Sequence, residues 1–357
     1  MRTAAALLIC LLTACASGSD AMQSTADRVD SMMSDYAGDG PGAALLVVRD
    51  GEPVLRRGYG LADVEARVAV TPATRFRLAS VSKQFTAAAI LLLAQDGALS
   101  LDDPLRKWLP SLPPATDGIT LHHLLTHTSG LVDYEDVMPE RVDGQLSDAD
   151  VLRLLEGEDR LYFAPGGGYR YSNSAYVLLG LIVAKASGRD FPGFLRERIF
   201  LPLGMDGAVA FVDGASTVAD RAWGYSDVDG RWVRTDQSPT SATLGDGGVY
   251  ASIDELAKWD AALRDDRLLN AASRTLAFSA HTATDEADVD GYGYGWRVHA
   301  TGHGPLLWHS GETIGFRNVI LRWPEAGLTV VLLSNRNDPE PYALARRIAA
   351  LYLKPAP

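Results

Sequence analysis

Apolar positions along this chain follow two rhythms. Ala44-Leu45-Leu46-Val47-Val48 and, past Asp50-Gly51, Val54-Leu55 with Gly58-Tyr59-Gly60 are extended runs around a tight turn, which predicts a β-hairpin. Strand-like text returns at 293–298, 306–309, 317–323 and 328–334. Pro324-Glu325-Ala326-Gly327 is a short link that makes the last two antiparallel neighbours. Between these ends the spacing turns helical, at 84–97, 120–126, 147–156, 173–187, 191–199 and 253–264. A further helix is predicted from Gln23 to Tyr36, stopped by Gly38-Asp39-Gly40-Pro41-Gly42, and another over about 340–353. Strands at both ends around a helical middle predict an α+β fold. One antiparallel sheet is built from the two chain ends and flanked by helices, with an α-helical region inserted at about 76–290. Tyr292, Tyr294 and Trp296, spaced by two, fall on one face of a predicted strand, as core or as the wall of a cleft.

At 357 residues the chain can bury a large core, and 47% hydrophobic with 22% charged residues is ordinary for a globular protein. A formal charge of −12 argues against nucleic acid or an anionic membrane surface as partner, since neither gains from meeting it. Residues 1–15 carry one positive charge and a short apolar stretch, the pattern of an export signal. Its end, Leu12-Thr13-Ala14-Cys15, resembles the bacterial lipobox, in which the Cys is lipidated and becomes the mature N-terminus. Cleavage near Ala14 or Ala16 without lipidation is the plainer alternative. The only other cysteine, Cys10, lies inside the removed segment, so Cys15 is expected as a lipid attachment point. Ala16 in place of Asp suits the periplasmic face of an outer membrane, and the small, polar residues 16–24 suit a tether to a domain spanning 25–354. The expected membrane contact is through the lipid alone.

Ser80-Val81-Ser82-Lys83 precedes the apolar run 85–94. On a helix, residues three apart share a face, so the Lys nitrogen reaches the Ser hydroxyl and can take its proton, while free N–H groups at the helix start favour an oxyanion. An N-cap Ser beside a solvated Lys would look the same. Tyr171-Ser172-Asn173 follows the Gly-rich loop Pro165-Gly166-Gly167-Gly168: a phenol can shuttle protons and an amide can hold a carbonyl, or the Asn is a plain turn residue. His309-Ser310-Gly311 ends a predicted strand, where a backbone N–H can meet an oxyanion and Gly permits close approach; a lone strand His is otherwise structural. His123 and His127 have His-x-x-x-His spacing but lack the Glu of a metalloprotease, so with His122 they are expected to hold a loop rather than a metal. The acidic stretch 285–290 reads as a solvated loop. There is no Gly-x-Ser-x-Gly elbow.

Ser-x-x-Lys, Tyr-x-Asn and a basic-x-Gly triplet in this order resemble the penicillin-recognising serine hydrolases, within them the branch of class C β-lactamases and D-alanyl-D-alanine carboxypeptidases. Phe76-Arg77-Leu78-Ala79, 124–131 and Gly245-Asp246-Gly247-Gly248 join the resemblance, which runs from about Ala44 to Leu333. It implies a β-lactamase/transpeptidase-like fold with the active site between sheet and helical region, and no cofactor. Ser80 becomes the nucleophile, Lys83 and Tyr171 the groups that activate it and relay its proton, and Asn173 the group positioning substrate and Lys83. The backbone N–H groups of Ser80 and Glu312 become the oxyanion hole, with His309 and Gly311 lining the strand face of the cleft. His309 departs from the Lys of many β-lactamases and attracts a substrate carboxylate less, which favours a peptidase, amidase or esterase acting on a small-molecule or peptide substrate. A β-lactamase or carboxypeptidase proper, and a catalytically silent receptor for peptidoglycan peptides, are the alternatives.

Overall fold

The computed structural model describes residues 25–354. The predicted export signal, Cys15 and the tether lie outside the described residues. Eight strands form the main sheet: β1 (Ala43–Arg49), β2 (Glu52–Tyr59), β3 (Thr282–Ala283), β4 (Gly291–Tyr292), β5 (Arg297–Thr301), β6 (Gly304–Thr313), β7 (Phe316–Trp323) and β8 (Leu328–Ser334). Their order is β3-β4-β5-β6-β7-β8-β1-β2, and every pairing is antiparallel. The last strand thus pairs with the first, Leu45 opposite Leu332 and Val47 opposite Val330.

β1 is apolar at successive positions because both faces of the sheet are covered. Ala44, Leu46 and Val48 enter one core, shared with the inserted helices; Ala43, Leu45 and Val47 enter a second, against Val29, Met33, Ala345 and Ile348 of the terminal helices at 25–32 and Tyr342–Ala350. The chain leaves the sheet after Tyr59 and returns at Thr282, and the segment between holds helices Lys83–Gln95, Leu121–Leu125, Asp148–Glu156, Asn173–Ser187 and Ile253–Ala262. Among the described residues no helix is long and apolar enough to cross a membrane.

Three local expectations change. The strand expected at 293–298 is instead a bend over 293–296, after the end of β4, followed by the start of β5. Gly295 sits at φ +77°, and a Cβ there would lie 2.8 Å from the Lys83 carbonyl oxygen, so the chain bends against the helix that carries Lys83. Tyr294 and Trp296 are buried but not on a strand, and only Tyr292 is. The helix expected at 191–199 is α-helical over Phe191–Leu195 and widens into a π turn over Arg196–Phe200. Helix Ala271–Phe278 was not expected.

Candidate active site

The segment that carries Ser80 is held at three points. Phe76–Arg77 pairs with Val249–Ala251, the Ser82 hydroxyl accepts the Val249 N–H at 3.1 Å, and β6 lies across the turn. A Cβ on Gly311 would come within 2.0 Å of the Leu78 carbonyl oxygen, so only glycine allows β6 this close. Ser80 occupies a 3₁₀ turn, Ala79–Ser82, rather than the first turn of the α-helix, which begins at Lys83. Ala79, the residue before it, sits at φ +50°, a conformation costing a non-glycine residue roughly 1 kcal/mol or more.

Lys83 is fully buried, and its Nζ has three oxygen neighbours: Ser80 Oγ at 3.0 Å, Asn173 Oδ1 at 2.8 Å and the Asp246 carbonyl oxygen at 2.9 Å. The two carbonyls can only accept, whereas the Ser80 hydroxyl can accept or donate. Asn173 opens its helix behind the N-cap Ser172, whose side chain accepts the Ala175 N–H. Its backbone N–H donates to Asp133 at 2.7 Å and its amide Nδ2 to Glu135 at 3.1 Å, which fixes Oδ1 toward Lys83.

Tyr171 reaches the site from the Gly-rich loop, which runs beside 127–130 through the bonds Gly166 N–H to Thr128 O and Arg170 N–H to His127 O. Its hydroxyl is buried and makes no hydrogen bond among the described residues, while Lys83 Nζ lies 4.9 Å from its ring centroid. His127 packs on the other side, 4.3 Å between ring centroids, and accepts the Ser172 N–H on Nδ1. Burial first, then Lys83, keep it far below the usual imidazole range, so it is neutral. His122 Nδ1 meets the Tyr294 hydroxyl at 2.8 Å, and His123 Nδ1 accepts the Thr120 N–H in a capping box.

His309 does not line the cleft as expected. It is 0% exposed, with Nδ1 on the Ser310 carbonyl at 2.6 Å and Nε2 facing the Tyr292 hydroxyl at 2.9 Å and Arg297 Nη1 at 3.4 Å. Burial, and then Arg297 and Lys83, keep it neutral. Arg297 also lies beside Tyr171, its guanidinium 5.3 Å from that ring centroid, and donates to Glu286 at 2.7 Å. Burial alone would lower Arg297, but Tyr171, Glu286 and Tyr292 hold it above the usual arginine range. Glu286 also accepts the Tyr169 hydroxyl at 2.6 Å, so the acidic stretch 285–290 is not simply a solvated loop.

The cavity beside Ser80 measures about 60 Å³ and is walled by Ser80, Tyr134, Glu135, Asn173, Asp246 and Glu312. Glu312 is paired with Arg317 at 2.6 Å. Asp246 is buried, its Oδ1 has no partner in the protein, and burial raises it above the usual carboxylate range against the pull of Lys83. Partial burial and then Asp133 raise Glu135 as well. A serine hydroxyl on an amine, beside a phenol, suits nucleophilic acyl transfer.

The profile of the Beta-lactamase family matches residues 26–354. A penicillin-binding protein of Bacillus subtilis is 32% identical over 324 residues, 87% of this chain and 71% of the relative. A D-aminopeptidase of Gluconobacter oxydans is 31% identical, and the chain spans 59% of that relative's length and matches it over 87% of its own. Among solved structures, the octameric penicillin-binding protein homologue from Pyrococcus abyssi superposes with TM-score 0.83 at 29% identity, covering 92% of this chain and 77% of that one. The D-amino acid amidase from Ochrobactrum anthropi, complexed with L-phenylalanine amide, gives 0.80 at 27% identity, covering 92% and 98%. With a family profile matched over 26–354 and relatives of more than 30% identity along most of its length, the chain belongs to the Beta-lactamase family and is a serine hydrolase of the kind that includes penicillin-binding proteins and D-aminopeptidases.

Proposed function

We propose that the protein cleaves an amide or ester through an acyl-enzyme on Ser80, and that its preferred acyl donors carry a free amino group beside the scissile carbonyl. The carrying observation is the Lys83 nitrogen, 3.0 Å from Ser80 Oγ and held by Asn173 and Asp246. Lys83 takes the hydroxyl proton as Oγ bonds to the substrate carbon. The backbone N–H groups of Ser80 and Glu312 meet the oxyanion, and the proton passes by way of Tyr171 to the leaving nitrogen as the C–N bond breaks. Water then hydrolyses the ester. Asn173 positions Lys83 and the substrate. Gly311 brings β6 up to the nucleophile, and His309 orients the Tyr292 and Arg297 side chains behind Tyr171.

Two observations favour an amine over the carboxylate of a β-lactam. Asp246, whose Oδ1 has no partner among the described residues, and Glu135 line the cavity, and His309, standing where many β-lactamases have Lys, is neutral. A cavity of about 60 Å³ has room for roughly four or five water-sized groups, enough for an ammonium and a small side chain. The names of the related D-aminopeptidase and D-amino acid amidase fit the same class and suggest the D configuration.

The test is steady-state hydrolysis of D-alanine p-nitroanilide, its N-acetyl derivative, nitrocefin and p-nitrophenyl butyrate. The free-amine anilide is expected to exceed its acetylated form at least about tenfold in kcat/KM, a difference of about 1.4 kcal/mol. Ser80→Ala is expected to abolish turnover and labelling by a fluorophosphonate. Equal rates on the two anilides would overturn the ammonium reading, and full activity in Ser80→Ala would overturn the nucleophile.

A further inference from the structure

A second cavity, about 560 Å³, opens at the other end of β6 from Gly311, between the start of β6, the end of β7 and helix Ala271–Phe278. Its distance from the nucleophile follows from the strand: Leu307 to Gly311 is four residues, about 13 Å. Leu263, Phe278 and Leu307 give it an apolar wall, and Arg264, Arg274 and Arg322 bring three guanidiniums into it.

The polar bookkeeping there leaves donors unused. Asp260 is completely buried and saturated: it accepts Arg322 Nε at 2.8 Å, Arg264 Nε at 3.0 Å and Nη2 at 2.7 Å, and the Thr329 hydroxyl at 2.7 Å. Nη1 and Nη2 of Arg322 and Nη1 of Arg264 have no acceptor among the described residues. Arg322 is only 3% exposed, with its guanidinium 5.4 Å from the Phe278 ring centroid. Burial, with Arg264 and Arg274 as like charges, holds Arg322 below the usual arginine range despite Asp260. Two guanidiniums therefore share one carboxylate, Asp260, and Arg274 is matched by the exposed Asp266 at 2.6 Å. The remaining positive charge of this partly apolar recess faces only Glu325, on the rim, which also opposes a second negative charge on a ligand.

We propose that this cavity binds an organic monoanion, a carboxylate on an unbranched apolar chain, with its oxygens on Arg322 and Arg264 and its chain against Leu263, Phe278 and Leu307. A planar carboxylate matches the fork of a guanidinium, and a recess of several hundred cubic ångströms with a few convergent donors on apolar walls is the usual form of a small-ligand site.

The experiment is isothermal titration of the full-length protein with octanoate, octan-1-ol and inorganic phosphate. Octanoate is expected to bind saturably at one site, with the alcohol and phosphate each at least about tenfold weaker. Arg264→Gln removes an open donor, and Thr275→Trp fills the recess from its exposed lip without touching Asp260. Each is expected to weaken octanoate about tenfold or more while leaving Ser80-dependent turnover unchanged. No saturable binding of octanoate, equal binding by octan-1-ol, or undiminished binding in both variants would overturn the proposal.

Discussion

Tyr171 and Arg297 show how chemistry and stability separate at single residues. The Tyr171 hydroxyl is buried without a hydrogen-bond partner among the described residues, so its removal breaks no bond seen in the fold. Tyr171→Phe is expected to leave urea-induced unfolding within about 0.5 kcal/mol of wild type while lowering kcat by about 10² or more, because only the proton path is lost. A variant that loses stability and activity together would make this hydroxyl structural. Arg297 acts one step back, as a half-buried cation 5.3 Å from the Tyr171 ring. Arg297→Gln is expected to lower kcat about tenfold or more with KM little changed, and Arg297→Lys to restore it in part. An equal loss of kcat in the Gln and Lys variants would make Arg297 only a brace for Glu286.

At the level of elements, helix Asp148–Glu156 carries a pH-sensitive start. Ser147 caps it in a box with Asp150, and the neighbouring Asp148 is buried with a single backbone donor, the Leu244 N–H at 2.9 Å. Burial pushes Asp148 up to about 8 from its ordinary 3.8, Leu244 pulling it down and Asp246 adding to the rise. The folded state therefore holds this proton more tightly than the unfolded chain, so its contribution is fully present below about pH 4 and is lost as pH rises toward 8. Asp148→Asn keeps an acceptor for Leu244 and cannot ionise. It is expected to match wild type near pH 4.5 and to exceed it by about 1–3 kcal/mol at pH 8.5 in urea unfolding, and a gain independent of pH would refute this. The helices at 147–156 and 253–264 were legible in the chain because their apolar spacing is a local signal, and the structure adds a capping box at the start of each, Ser147 with Asp150 and Ser252 with Glu255. Ser80, Lys83 and Asn173, read from short motifs, do converge. Arg297, Glu286 and Tyr169 were not legible, since the contacts that bring them to the site, Tyr169 with Glu286 and Tyr171 with Arg297, join residues more than a hundred positions apart and leave no local pattern. The bend at Gly295 escaped for the same reason, because the helix it meets lies far away in sequence.

At the scale of the whole molecule, the two ends of the chain close one sheet, and the second core seals its outer face with the terminal helices. The helix at 25–32 therefore starts on the side away from the inserted helices that carry the catalytic candidates. Anchoring through Cys15 is our proposal for what precedes it. The net charge of −12 makes that proposal separable from ordinary surface adsorption, since an acidic protein is repelled by anionic lipids and gains nothing from them electrostatically. If acyl chains hold the protein, each buried methylene contributes about 0.8 kcal/mol, a hydrophobic term that salt does not screen. The full-length protein expressed in a bacterial host is therefore expected in the membrane fraction, to stay there in high salt, and to incorporate labelled palmitate. Cys15→Ser is expected to lose the label and move the enzyme to the soluble fraction with its kcat unchanged. Release of the wild type by salt, or a membrane-bound Cys15→Ser protein, would show that something other than a lipid on Cys15 holds it.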